Sequence, residues 1–308
     1  MKKSILNSLP TNARIALIIL LVAVVICGWC GKKIKDRFWG ASEPAVTQQA
    51  PNNQKQNPSA PPASSEEAQK IYLALGNPSN AGGDANNYLL VNNYYALSYS
   101  RDRGEPNWVS WRISKGELGD LPRPQPDPFR PDSRIPKDWK PVTPSDYTGS
   151  GFDRGHMCPS ADRSGSVEGM SETFLMSNMV PQTGDLNQDV WARLEGYLRT
   201  LVTRGSDVYI VAGPYGDKGK LKNKVTIPTN TWKIAIVVPA GAPVSAIDED
   251  TRVIAVDMPN VKGIRNTDWQ KYRTTVRDIE RKTGYNFLSA LPQNLQDALE
   301  NKKDTIDD

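Results

Sequence analysis

The sequence predicts an α+β fold, with a central, largely antiparallel sheet flanked by helices, and three observations lead there. Runs of β-branched and aromatic residues bounded by Gly, Pro or Asn recur between residues 88 and 256. Helical spacing of apolar residues is confined to Leu186–Thr203 and Asp268–Thr283. Strand and helix signals do not alternate regularly, which argues against a doubly wound parallel sheet.

Ile15–Gly31 is uncharged and nearly all aliphatic, with Lys2, Lys3 and Arg14 on one side and Lys32, Lys33, Lys35 and Arg37 on the other. As a helix it would span about 25 Å, the short end of a single membrane crossing. A cleaved signal peptide is the alternative. The basic cluster after the apolar run, with no evident small-residue cleavage site, favours one uncleaved transmembrane helix within an anchor over residues 1–37. Its nearly balanced flanks leave the orientation open. Residues 38–66 are dominated by Pro, Ala, Gln, Asn and Ser, and hold too little apolar surface to offset the entropy of ordering. They read as a tether. The folded unit is expected over residues 67–308. Within it Tyr88–Val91 and Tyr94–Tyr99 read as strands paired around Asn92 and Asn93, followed by Trp108–Ile113. Val208–Ala212, Val225–Ile227, Trp232–Val238 and Thr251–Val256 are further strands. In the first helix Leu186, Val190, Leu194, Leu198 and Leu201 lie near one face.

The net charge of +4 invites a nucleic-acid reading, but the whole excess sits in residues 1–37, and the remainder is slightly negative. Bulk charge therefore does not predict a polyanionic partner. Three cysteines cannot form a disulfide framework. Cys27 and Cys30 belong to the apolar run, and Cys158 reads as a small buried apolar residue. A single histidine excludes a multi-histidine zinc site.

That histidine, His156, ends the glycine-rich, charged stretch Gly149–His156 and does not lie on an apolar periodic face. A hydrogen-bonded structural histidine is the plain alternative. The setting suits an imidazole that takes a proton from water near neutral pH. Further along, Asn187 opens the predicted helix, and Glu195 and Arg199 follow on an i, i+4 course through residue 191. An amide, a carboxylate and a guanidinium can thus share one side, although an ordinary solvated face has the same pattern.

Taken together, Asp153-Arg154-Gly155-His156, Ser177–Gln182, Leu186-Asn187-Gln188 and Trp191–Glu195 resemble the signature of the DNA/RNA non-specific endonucleases, which have the ββα-metal nuclease fold. The likeness covers most of residues 70–295, including Leu75–Pro78, Asn107–Trp111, Phe129–Asp132 and Val211–Pro214, and leaves out the anchor and tether. It implies His156 as general base and Asn187 as the one direct protein ligand of a hydrated Mg²⁺, with Mn²⁺ as a substitute. A neutral ligand leaves the ion nearly its full charge for the phosphate. Glu195 would hold a metal-bound water, Asn178 would help arrange the site, Arg154 would lie near the phosphate, and Arg199 would bind substrate. A transition-state arginine is expected upstream of Phe129–Asp132. Arg123 is the better candidate and Arg130, inside that stretch, the alternative, with Pro124–Pro128 as a small insertion between them.

The function so implied is a membrane-tethered or secreted endonuclease hydrolysing DNA and RNA through backbone recognition. An indiscriminate nuclease endangers its own cytoplasm, so the domain is expected outside, anchored or released. A catalytically weak nucleic-acid-binding protein of the same fold is the rival reading, and a phosphodiesterase narrowed to one structured substrate is a third. A protein inhibitor is an admissible partner. Gly213–Lys220 looks like a P-loop, but Leu221 stands where a Ser or Thr would bind Mg²⁺, so it reads as a turn between strands.

Overall fold

The computed structural model describes residues 65–307. The expected anchor over residues 1–37 lies outside the described residues, as does the tether except for Ser65 and Glu66, which open the first helix. Among the described residues no helix is long and apolar enough to cross a membrane.

In chain order the elements are α1 (Ser65–Tyr72), β1 (Gly83–Asp84), β2 (Asn87–Val91), β3 (Ala96–Ser100), β4 (Glu105–Ile113), β5 (Asp153–His156), α2 (Val167–Glu172) and β6 (Met179–Gln182). A π-helical turn, Leu186–Trp191, runs into α3 (Ala192–Thr203). Then come β7 (Ser206–Tyr215), β8 (Lys220–Leu221), β9 (Val225–Thr226), β10 (Asn230–Pro239), β11 (Arg252–Pro259), β12 (Arg273–Thr274), α4 (Val276–Thr283) and α5 (Gln293–Glu300). One large sheet has the order β1-β2-β3-β4-β7-β10-β11-β12, and every neighbouring pair in it is antiparallel.

The β-branched and aromatic runs all fall on this sheet or on the β8–β9 hairpin. Two expectations change. Tyr94 and Tyr95 lie in the β2–β3 turn, where the Asn92 side chain accepts both of their N–H groups. The helix expected over Asp268–Thr283 forms only from Val276. Thr275 caps it by accepting the Asp278 N–H, and Arg273 and Thr274 pair with β11 instead. Two consecutive threonines favour extended backbone and a cap over a helix interior.

Central strands are covered on both faces, which explains their nearly continuous burial. Alternation sends Ser110, Val211 and Ile234 to one face, against Tyr72, Leu75 and Phe287. Val109, Trp111, Ala212 and Lys233 take the other face, on which Trp191 and Glu195 pack. Beside this main core a smaller cluster of Val142, Tyr147, Met176, Met179, Leu221 and Val225 includes Met179 of β6.

Candidate active site

The sequence Asp-Arg-Gly-His has little strand propensity, yet it forms β5 by antiparallel pairing with β6. Asp153 lies opposite Gln182, and His156 opposite Met179. Gly155 is required there: a Cβ would collide with the Gln182 side-chain amide. The Asn178 side chain ties the end of this ribbon together. Its Oδ1 accepts the Cys158 N–H at 2.9 Å, and its Nδ2 donates to the carbonyls of Cys158 and Thr173 at 2.9 and 2.8 Å. Asn178 is fully buried with its amide engaged at both ends, so it holds the ribbon from within. Asn260, also fully buried, accepts the Thr183 N–H and donates to the Pro181 carbonyl. It thereby fixes the turn from β6 into the helix.

His156 is partly exposed and sits between two aromatic rings, 5.4 Å from Phe129 and 5.0 Å from Phe174 between centroids. Two guanidinium groups lie over the same rings. Arg154 is 4.0 Å from the centre of Phe129, and Arg123 is 4.8 Å from that of Phe174. Burial, then Arg123 and Arg154, push the imidazole pKa down to about 3. His156 is therefore neutral at ordinary pH, and its buried Nε2 has no hydrogen-bond partner among the described residues. Arg154 also pairs with Asp127 at 3.1 Å. Arg130 is not brought to this cluster. It pairs with Glu172 at 2.8 Å and donates to the Ser171 carbonyl, which ties its loop to α2.

Asn187 lies in the π-turn and donates from Nδ2 to Asp153 Oδ2 at 2.9 Å, with Gln188 donating to the same oxygen at 2.8 Å. This orientation leaves the Asn187 Oδ1 on the far side of the amide. Arg123, Phe129, Phe152, Asp153, Arg154 and Asn187 contribute to one open polar cleft of about 280 Å³. Arg123 also lines a neighbouring groove of about 730 Å³, whose lining includes Arg199 and Lys115. Arg199 is held there by Asp162 at 2.8 Å.

Glu195 is nearly buried, with Oε1 3.3 Å from Lys233 Nζ. Burial pushes its carboxyl above the usual range, and Lys233 pulls it part of the way back. Oε2 is engaged by no protein group among the described residues. Those residues also contain no cluster of three or more His, Cys, Asp or Glu side chains able to hold a metal.

Sequence reasoning named Asp153 only as part of a motif and missed its hold on Asn187. It gave no role to Phe129, Phe174, Asn260 or Lys233. A lysine inside the apolar run Trp232–Val238 was a readable sign of a buried anionic partner.

Comparison with known proteins identifies the family. Residues 75–294 match the family model described as DNA/RNA non-specific endonuclease. A nuclease of Nostoc sp. (strain PCC 7120 / SAG 25.82 / UTEX 2576) is 48% identical over 239 residues, covering 76% of this chain and 86% of that protein. Nuclease C1 of Cunninghamella echinulata var. echinulata is 32% identical, over 71% of this chain and 88% of its own length. Among solved structures, the EndoG/EndoGI complex contains a chain with the same fold, at a TM-score of 0.63 and 24% identity, covering 74% of this chain and 93% of that one. The chain belongs to the DNA/RNA non-specific endonuclease family and is a nuclease.

Proposed function

We propose that this protein is a Mg²⁺-dependent endonuclease that hydrolyses DNA and RNA without regard to sequence, with His156 as general base. The observation that carries the reading is the β5–β6–helix unit itself. Asp153–His156 sets the imidazole against Phe129 and Phe174, rings on which Arg154 and Arg123 also stack, and holds Asn187 through Asp153. His156, neutral with a free ring nitrogen, takes the proton of the water whose oxygen attacks phosphorus. The P–O3′ bond then breaks and leaves a 5′-phosphate. Arg123 and Arg154 face the growing charge on the phosphoryl oxygens.

A hydrated Mg²⁺ fits the donor set. Asn187 Oδ1 is a hard, neutral oxygen left unbound by the Nδ2 bond to Asp153, and Mg²⁺ commonly keeps most of its waters in place of a protein cage. Asn187 would hold it, and Glu195 Oε2 is the free acceptor for one of its waters. When bound, the ion supplies Lewis-acid stabilisation of the phosphate and the leaving oxygen. Mn²⁺ satisfies the same donors.

The test is nicking of supercoiled plasmid and digestion of unrelated RNA, with Mg²⁺ and with EDTA, by wild type and His156→Ala. Turnover that needs the cation and is lost in a folded His156→Ala protein supports the enzyme. Tight binding without cleavage would instead make this a nucleic-acid-binding protein of the same fold. Membrane tethering through residues 15–31, with the nuclease unit outside, is part of the proposal and is checked by fractionation and protease accessibility of intact cells. A protein inhibitor is a suitable partner class, since the EndoG neighbour was solved with EndoGI.

A further inference from the structure

Lys233 stands in β10, 1% exposed, on the sheet face that meets α3. Burying an ammonium is strongly unfavourable unless it is compensated, and an apolar side chain of similar length would fill the slot without that penalty. The compensation is specific. Nζ lies 3.3 Å from Glu195 Oε1, 4.3 Å from the ring centre of Trp191 and 5.4 Å from that of Trp111. Trp191 closes the π-turn that carries Asn187, and Glu195 lies one turn beyond it. The ammonium therefore touches both the end of the cation-binding turn and the first acidic residue of α3. Other charged groups around Glu195 are Asp162 and Arg199, which pair with each other at 2.8 Å. Lys233 is thus its one direct cationic partner among the described residues.

We propose that Lys233 is a positioning residue for the cation site: it keeps Glu195 charged and pins Oε1, so that Oε2 is left as a fixed acceptor for a water of the hydrated divalent cation. A methionine at this position would leave Glu195 buried with no cation in direct contact and only the more distant Arg199 to offset its charge, which shifts the carboxyl further toward its neutral form. A protonated carboxyl keeps its bulk but loses the acceptor strength that orients such a water. This inference rests on the reading of Asn187 and Glu195 as the cation site.

The experiment measures cation binding directly, without nucleic acid, by Mn²⁺ electron paramagnetic resonance and Mg²⁺ calorimetry on the full chain. Wild type is compared with Lys233→Met, Lys233→Arg, Glu195→Gln, the Lys233→Met/Glu195→Gln double variant and Asn187→Ala. Lys233→Met is expected to weaken binding about tenfold at neutral pH, with affinity recovering as pH rises and Glu195 ionises. Lys233→Arg retains most of the affinity, and the double variant is no weaker than Glu195→Gln alone. Wild-type affinity and pH dependence in a folded Lys233→Met protein would overturn the proposal, as would losses that add in the double variant. Should Lys233→Met fail to fold, Lys233→Gln replaces it, and equal affinity in Lys233→Gln and wild type counts against the proposal in the same way. Undiminished binding in Asn187→Ala would instead bring down the underlying site reading.

Discussion

His156 is the only histidine in the chain, so a sample labelled with ¹³C-histidine gives one imidazole signal whose titration reads this site alone. In the metal-free protein that signal is expected to stay in its neutral form far below the ordinary 6.5, toward about 3. The contributions can be separated by substitution. Arg154 and His156 both pack on Phe129, at 4.0 and 5.4 Å, which places guanidinium and imidazole within roughly 9 Å of each other. At that distance an effective dielectric constant of about 20 gives ~2 kcal/mol, and a water-like value gives ~0.5 kcal/mol. Arg154 is partly solvated, so Arg154→Gln should raise the pKa by about half a unit to one unit. Burial is the largest cause of the depression, so Phe129→Ala, which admits water, should raise it more than Arg154→Gln does. Linkage gives the sign for stability. The folded pKa lies below the unfolded one, so the unfolded chain takes up the proton first. Stability is full above about 6.5 and is lost as pH falls from there toward 3. A wild-type signal titrating near 6.5, or one unmoved by both substitutions, would refute this account of the imidazole.

Three further outcomes follow from the geometry. Gly155→Ala drives a methyl group into the Gln182 amide and should cost about 1–3 kcal/mol in urea unfolding, with much of the loss restored by Gln182→Ala in the same protein. Asp127→Asn removes the carboxylate from Arg154. Because that pair is solvent-exposed, the apparent KM for DNA should fall only a few-fold at low salt, and the difference should vanish near 0.5 M salt. Asn187→Ala should raise the Mg²⁺ concentration for half-maximal cleavage by about tenfold or more, and normal cutting at low Mg²⁺ would remove Asn187 from its assigned role.

Much of the large sheet was legible because burial on both faces selects the β-branched and aromatic runs that periodicity detects. Trp232–Val238 is an example, lying wholly within β10. The β5–β6 ribbon was not legible as structure. Asp153–His156 carries no strand signal of its own and is extended because its register with Met179–Gln182 and the Asn178 side chain hold it so. Helical spacing put Asn187, Glu195 and Arg199 on one course, but the π-turn over Leu186–Trp191 changes the phase between the first and the others. The result is three separate attachments, to Asp153, Lys233 and Asp162. Residues such as Asn260 and Lys233 come from strands far along the chain. No local pattern marks them as neighbours of the motif.

Period-two alternation along β5 explains how so short a segment serves two chemical needs. Arg154 and His156 share one face of the strand, Asp153 and Gly155 the other. On the first face Phe129 and Phe174 pack against the imidazole and Arg154 and Arg123 stack on the same rings, which together disfavour positive charge on His156. On the second face Asp153 fixes the Asn187 amide, while glycine at position 155 makes room for Gln182. A base needs an environment that disfavours positive charge, whereas a hydrated cation needs oxygen donors and open water. One pleat lets both environments exist a single residue apart. A one-residue slip of β5 against β6 would exchange the two faces, which is why Gly155, Gln182 and Asn178 decide where the Asp153 and His156 side chains point.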